Sequence, residues 1–275
     1  MASAETDIDT ETPGQSRPVK LVVIGALLGA VGFNLWLLFP EILGGGLAPN
    51  DSLFHQQLIG AAIDAIKNGS DFTDPWQGTM SLGFPVFHHY QHLSHIPLTF
   101  IHVITLEAVS VIDLIRWTTY ILLCLFPLSI FWSLRRFGFD PLTSAMGGLL
   151  APLIGNDFQL WGGFGYDNYT FGGFGLYAQL SGMVLFPAAL AVGYETVRTG
   201  QRFFWSTLLL SATLMTHLTF GYIAFLTLGV LALIPKSQIT FDKSYLVSIW
   251  DQWRRLLGLF VLVVSMTLFL PSPSC

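Results

Sequence analysis

The chain has 275 residues, of which 52% are hydrophobic and only 11% are charged, and its formal net charge is −5. Its charged fraction is about half that of an average soluble domain, and its mean hydropathy is +0.61. This composition excludes an ordinary soluble domain and predicts an all-α polytopic membrane protein. The lipid bilayer is therefore an expected partner, and nucleic acid is not.

Composition also divides the chain. Residues 1–19 form a Ser/Thr/Gly/Pro-rich stretch with four acidic residues, which cannot bury enough apolar surface to fold. We expect a disordered cytoplasmic tail there and a transmembrane domain over residues 20–275. The chain stops at LPSPSC directly after an apolar run, as expected of a truncated reading frame. The two cysteines, Cys124 and Cys275, cannot form a disulfide framework.

Apolar runs of membrane length predict about seven transmembrane helices, within a range of six to eight. Residues 96–112 are the ambiguous run, because they are barely long enough to span and contain His102 and Glu107. If they spanned, Arg135 and Arg136 would lie outside, against the positive-inside rule. We therefore expect an interfacial segment there. The predicted spans are residues 20–43, 114–134, 142–154, 176–194, 203–216, 218–234 and 256–270.

This topology places the N-terminus in the cytoplasm and the long first loop, residues 44–112, outside the cell membrane. Ten of the twelve basic residues are then cytoplasmic, and only Lys67 and Arg116 are external. The first loop carries surface helices. The first begins at residues 50–52 and runs to about Lys67, where Asn68 and Gly69 end it.

Three short motifs carry a resemblance to a known family. They are NDSLFHQQL and GFPVFHHY in the first loop and RRFG after the next span. With them, residues 20–225 resemble the GT-C superfamily of membrane glycosyltransferases, in particular its branch of 6-pyruvoyl-tetrahydropterin synthase-related membrane proteins. The resemblance implies a polyprenyl-phosphate sugar donor, an acidic catalytic residue in the first external loop, and a glycan, lipid or protein acceptor reached from outside.

The resemblance also assigns residues. The loop acid corresponds to Asp51 and the nearby histidine to His55, which makes them the catalytic candidates. The family's aromatic-proline stretch corresponds to a segment that includes Phe84 and Tyr90, which makes them substrate-binding candidates. The family's later Thr-His pair at the outer end of a span corresponds to Thr216 and His217, and His217 is a further substrate-binding candidate. In this chain the family's aromatic-proline continuation is replaced by HHYQHLSHIP.

The residues themselves leave alternatives open. Asp51 and His55 are one helical turn apart, so the carboxylate can orient the ring, but Asp51 also suits a helix N-cap. Asp71 and Asp74 are further candidates for substrate binding, or they cap the turn before Trp76. Trp76 is also a substrate-binding candidate and suits the membrane interface. His217 faces a water-filled cavity or other protein groups, or occupies a hairpin turn.

Three histidines of the first loop, His88, His92 and His95, are spaced i, i+4 and i+7. A helix would place their imidazoles on one face, and such clusters suit zinc or copper. This predicts a divalent metal ion as a cofactor. The alternative is that they are interfacial residues hydrogen-bonded to lipid or backbone.

The second external loop, residues 155–175, alternates glycine with aromatic residues and carries Asp157 and Asp167. Its flat apolar rings suit sugar rings or prenyl chains, and they equally suit packing at the lipid interface. Two other functions stay open: a transporter or metal-handling protein with a histidine-rich external loop, and an inactive fragment or scaffold. Mid-membrane charge would favour transport, and the predicted spans contain almost none.

Overall fold

The computed structural model describes residues 17–44, 46, 51–78, 82–153, 165–234 and 243–269. Helices dominate these residues, which confirms the predicted all-α class, and their strand pairing is one short pair, β1 (Trp76–Gln77) with β2 (Phe84–Pro85). The α-helices are α1 (Arg17–Leu37), α2 (Pro40–Leu43), α3 (Asp51–Lys67), α4 (Val86–His89), α5 (Ile96–Ile104), α6 (Val111–Arg136), α7 (Pro141–Leu150), α8 (Tyr177–Thr199), α9 (Phe203–Thr216), α10 (Leu218–Leu231) and α11 (Lys243–Phe269). Short 3₁₀ turns cover Ala151–Leu153 and Tyr166–Asn168.

Among the described residues, three helical stretches are long and apolar enough to cross a membrane: Arg17–Leu43, Val111–Arg136 and Tyr177–Thr199. Helices α9 and α10 have 14 residues each, a length of about 21 Å at 1.5 Å per residue. The nine residues of α5 reach only about 14 Å, too short for a ~30 Å hydrocarbon core. The total of seven spans stays a prediction.

Local signals explain where several helices begin and end. The helix predicted from residues 50–52 to about Lys67 is confirmed as α3, which is followed by Gly69 in a left-handed conformation (φ +66°). Ser110 caps α6 by accepting a hydrogen bond from Asp113 N at 3.1 Å. The last helix, α11, begins at Lys243, thirteen residues before the predicted span at residues 256–270. The turns before residue 256 expose Leu246, Trp250 and Arg254, and they bury Gln252, which donates to Ile234 O at 3.2 Å.

Helices α9 and α10 form a tight hairpin against α8. A Cβ on Gly182 of α8 would lie 2.6 Å from His217 Cβ, at the tip between α9 and α10. Further along α8, a Cβ on Gly193 would lie 2.9 Å from Leu228 Cδ1 and 3.5 Å from Leu210 Cδ1. The glycines therefore permit close packing of both hairpin helices on one face of α8, with α9 antiparallel to it and α10 parallel.

Opposite ends of the bundle carry different chemistry. At one end Arg136, the last residue of α6, pairs with Glu195 of α8 at 2.9 Å, and Arg202 pairs with the same carboxylate at 2.7 Å. At the other end Tyr177, the first residue of α8, contacts the ring of His55 in the first loop. The bundle thus separates an arginine-rich end from a histidine-rich end.

The first loop is a packed layer over the histidine-rich end. Helix α3 turns its apolar face inward and contributes to two buried clusters, one shared with α4 and one shared with α5, α6 and α8. The buried members of both clusters are Leu58, Ile59, Ala62, Ile63, Val86, Phe87, Leu98, Leu114, Ile115 and Tyr177. This burial positions the side chains of α3 that face the candidate site.

Candidate functional site

The candidate site begins at the first residue of α3. Asp51 N donates a hydrogen bond to Phe174 O at 3.0 Å. The next residue, Ser52, is buried against Gly175, where any Cβ would collide with Ser52 Oγ. The described end of the second loop therefore packs on the start of α3, and the structure brings together two loops that lie more than a hundred residues apart in sequence.

The Asp51 carboxylate has no hydrogen-bond partner among the described residues, so it does not cap α3. Partial burial raises the pKa of this carboxyl group above its usual value. The ring of Tyr90 packs on Phe54 and His55 in the first turns of α3, at centroid distances of 5.1 and 5.9 Å. Burial and then the charge of Asp51 raise the pKa of Tyr90 to about 12. An unpaired carboxylate of raised basicity is a suitable acceptor for a substrate proton.

A buried histidine pair lies beneath Asp51. His55 Nδ1 is 2.9 Å from His95 Nε2, and the two residues are 1% and 0% exposed. Burial lowers the pKa of His55 to about 4, and burial followed by the neighbouring His55 lowers the pKa of His95 well below its usual value. Both rings are therefore neutral near pH 7, with one nitrogen donating to the other.

This pair changes the predicted role of His55. No hydrogen bond joins the side chains of Asp51 and His55, because the ring is oriented by His95 instead. Aromatic rings enclose the pair: Tyr90 and Tyr177 both lie within 6.0 Å of each imidazole, measured between ring centroids. We interpret His55 as a positioning residue that joins α3 to the segment before α5.

The histidine pair predicts acid sensitivity. An unfolded chain protonates His55 near pH ~6.5, whereas the folded chain does so only near pH 4. Protons therefore favour the unfolded state, and stability is lost as pH falls between these values. We expect the free energy of unfolding to drop by about 3 kcal/mol from pH 7 to pH 4 through this group, measured by thermal unfolding in detergent.

The matched variants for this measurement are His55→Phe and His89→Gln. His55→Phe removes one of the two buried histidines and should reduce the pH dependence, whatever its effect on absolute stability. His89 is exposed on the same loop, so His89→Gln should retain the wild-type slope. Parallel curves for wild type and His55→Phe would exclude His55 as an acid-sensitive group.

The helix needed for the predicted metal triad does not form. Helix α4 ends at His89, and Tyr90 is extended. His88 Nδ1 instead pairs with Asp74 Oδ2 at 2.9 Å, while His95 pairs with His55. His92 lies near Asp74, whose charge partly opposes the lowering of the His92 pKa by burial. The described residues contain no group of three His, Cys, Asp or Glu that could hold a metal ion.

The remaining first-loop candidates fall into two groups, one in a groove beside α3 and one against a buried cluster. Asp71 accepts hydrogen bonds from Thr73 N at 2.8 Å and Thr73 Oγ1 at 2.6 Å, so it closes a local turn. Asp74 also accepts from His88 N at 3.0 Å. Both aspartates and Trp76 line one groove, whereas Phe84 and Tyr90 both pack against the buried cluster formed by α3 and α4.

The second-loop candidates are only partly described. Asp157 lies outside the described residues, and Asp167 is in the 3₁₀ turn Tyr166–Asn168. Asp167 lines a cavity of about 470 Å³ together with Glu41 of α2. This cavity is formed by different residues from those around Asp51, so the structure does not place Asp167 in the same group as Asp51 and Tyr90.

Sequence reasoning missed a buried ionic network beside this cavity. Arg116 of α6 is 2% exposed and faces Glu41, with a closest nitrogen–oxygen distance of 3.9 Å. It also donates to Glu41 O and to Gly46 O, the latter at 2.7 Å. Glu41 in turn accepts from Phe171 N at 2.7 Å. An ionisable residue inside an apolar run was the available signal, since such residues need a partner.

His217 lies at the tip of the α9–α10 hairpin in an extended conformation. Its Nδ1 is buried without a hydrogen-bond partner, and its ring lies 5.1 Å from that of Phe220. The first loop reaches this tip, since Leu93 N donates to Met215 O at 3.2 Å. The turn interpretation of His217 therefore agrees with its backbone, and the residue supports the loop layer from below.

Comparisons with known protein families, with curated proteins and with solved structures find no match to this chain. The candidate site has two parts at the histidine-rich end of the bundle. The first is the Asp51 carboxylate, which has no hydrogen-bond partner among the described residues. The second is the neutral pair His55 and His95, enclosed by Tyr90 and Tyr177.

Proposed function

We propose that this protein is a membrane glycosyltransferase that transfers a sugar from a polyprenyl-phosphate-linked donor to an acceptor, with Asp51 as the general base. The observation that carries the proposal is the Asp51 carboxylate at the start of α3, which has no hydrogen-bond partner among the described residues and whose pKa is raised by burial. Transfer with inversion requires one group that removes a proton from the acceptor hydroxyl opposite the leaving phosphate. Asp51 has the chemistry for that step.

An apolar groove between α10 and α11 supports the proposal that the sugar donor is lipid-linked. It has a volume of about 600 Å³, and its aromatic lining residues are Tyr222, Phe225, Trp253 and Phe260. It extends from Leu218, beside the hairpin tip, to Leu233 at the far end of α10. A long apolar chain of methyl-branched isoprene units matches such a groove, because its binding needs apolar area rather than hydrogen bonds.

The proposal is tested by reconstituting the purified protein in liposomes with polyprenyl-phosphate donors that carry radiolabelled glucose, mannose or galactose. Release of polyprenyl phosphate and transfer of label to a polar or lipid acceptor are measured together. Transfer that depends on Asp51 supports the proposal. No transfer from any of these donors, with protein that remains folded, argues for one of the non-catalytic alternatives.

We further propose an orientation in which the histidine-rich end faces outward and the arginine-rich end faces the cytoplasm. The separation of Arg136 and Arg202 from the first loop supports this arrangement through the positive-inside rule. In this orientation α5 lies at the outer interface. The seven-span topology places the N-terminus in the cytoplasm.

Cysteine labelling tests the orientation. In a chain with Cys124→Ala and Cys275→Ser, an impermeant maleimide added to intact cells should label Ser70→Cys but not Phe139→Cys until the membrane is opened. Both positions are exposed and lie outside the helices, so access differs only by side. Labelling of Phe139→Cys in intact cells would reverse the orientation.

A further inference from the structure

A second groove lies on the outer face of α3 and is not lined by Asp51. It has a volume of about 650 Å³ and runs between α3 and the loop leading into β1. Gly60 and Ala61 form its floor, and a Cβ added to Gly60 would meet no atom within 4 Å. The floor is therefore open, and a larger side chain there would fill the groove.

Polar side chains of two kinds form the walls of this groove. The carboxylates of Asp71 and Asp74 are held in place by Thr73 and His88. A carboxylate has about four acceptor positions, so each keeps capacity for a ligand. The carboxylate and amide residues of the lining are Gln57, Asp64, Asn68, Asp71, Asp74 and Gln77.

An exposed aromatic ring completes the groove. Trp76 is 67% exposed although its ring packs directly on Gly83, where a Cβ would lie 2.7 Å from Trp76 Cζ2. Gly83 has φ +92°, so both its backbone conformation and its lack of a side chain permit this contact. Pairing of Trp76 with Pro85 in the β1–β2 pair also restrains the ring. The ring is thus held rigidly at the edge of a polar groove.

We propose that this groove binds a neutral oligosaccharide, and, resting on the function proposed above, that this oligosaccharide is the acceptor. Sugar hydroxyls both donate and accept hydrogen bonds, which carboxylates and amides together satisfy. The apolar face of a sugar ring packs on an indole ring, which is large and amphipathic. The groove-lining residues described by the structure include no Lys or Arg, so an anionic glycan is disfavoured.

Binding is measured on the full chain in lipid nanodiscs, because sugar-based detergents would compete. The probes are maltotriose, mannotriose and the N-acetylglucosamine trimer, and the readout is saturation-transfer NMR followed by titration. Wild type should bind at least one trisaccharide. Trp76→Ala and Ala61→Trp should raise its Kd by about tenfold or more, as expected when an aromatic anchor is lost or its site is filled.

Matched controls separate a local effect from misfolding. Gly60→Ala adds a side chain that the groove accommodates and should bind like wild type. Trp250 of α11 is also 67% exposed, so Trp250→Ala removes an equally exposed indole elsewhere and should leave binding unchanged. Trp76→Phe keeps an aromatic ring and should retain weakened binding if Trp76→Ala has only lost the contact.

Several results would overturn the proposal. The first is that folded wild type binds none of the trisaccharides. The second is that Trp76→Ala and Ala61→Trp bind a trisaccharide as tightly as wild type does. The third is that the groove binds only calcium or spermine. Failure here is distinguishable from failure of the proposed function. If the protein binds a trisaccharide but transfers no sugar, the binding groove stands and the proposed glycosyltransferase activity fails. If it transfers sugar in an Asp51-dependent way but binds no trisaccharide, the activity stands and the proposed groove fails.

Discussion

Replacement of Asp51 by asparagine should lower the rate of sugar transfer by about 10²–10⁴-fold, the usual contribution of a positioned general base. The amide is nearly the same size as the carboxylate but cannot accept a proton from the acceptor. The native carboxylate makes no hydrogen bond within the first turn of α3, so the thermal unfolding midpoint should remain within a few degrees of wild type. Transfer is measured in liposomes and unfolding in detergent.

Two variants control this result. Asp51→Ala should lose transfer to the same extent and, because no capping bond is removed, should cost less stability than the ~0.5–2 kcal/mol typical of a lost N-cap. Asp113 is an exposed first-turn aspartate of α6, bonded to Ser110, and Asp113→Asn should leave the transfer rate within about twofold. Full activity in Asp51→Asn would remove Asp51 as the base and direct the search to Asp71, Asp74 and Asp157.

Replacement of Arg116 by methionine should destabilise the protein by about 3–5 kcal/mol, since breaking a buried ion pair leaves its partner buried and unpaired. That partner is Glu41, and both side chains are almost fully buried. Methionine retains much of the apolar length of arginine but donates none of its hydrogen bonds to Glu41 O and Gly46 O. Denaturant or thermal unfolding of the purified variant measures the loss.

A double variant separates the two contributions of Arg116. If the unpaired charge dominates, Arg116→Met combined with Glu41→Gln should recover a substantial part of the stability. If the double variant is as unstable as Arg116→Met, the hydrogen bonds from Arg116 to the backbone are the main contribution. Arg135, which is exposed at the opposite end of α6, is the matched control, and Arg135→Met should change stability by no more than about 0.5 kcal/mol.

The sequence by itself determined the features that depend on neighbouring residues. Hydropathy indicated the helices now seen as α1, α6 and α8, because each is an apolar run of membrane length. The bounds of α3 were predictable from a polar start, an apolar face and an Asn-Gly end. The short length of α5 agrees with the interfacial segment inferred from the positions of Arg135 and Arg136.

Only the tertiary structure decided which distant groups meet. His55 and His95 are 40 positions apart, and periodicity assigned them to different groups: one beside Asp51, one in a metal triad. The helix assumed for that triad ends at His89 because the next residues extend and turn to bury His95 against α3. A spacing rule holds only while one helix continues, and composition does not reveal where packing interrupts it.

The buried ionic network has the same origin. The charge distribution predicted only that Arg116 lies on the external side, and it did not reveal that packing of α6 against α2 buries the side chain beside Glu41. Asp51 N also donates a backbone hydrogen bond to Phe174 O, which joins the two loops. Because this bond involves no side chain, the residue types in the sequence do not predict it. Helix bounds depend on local residue preferences, but the composition of the site depends on which helix faces pack together, and that is a property of the whole chain.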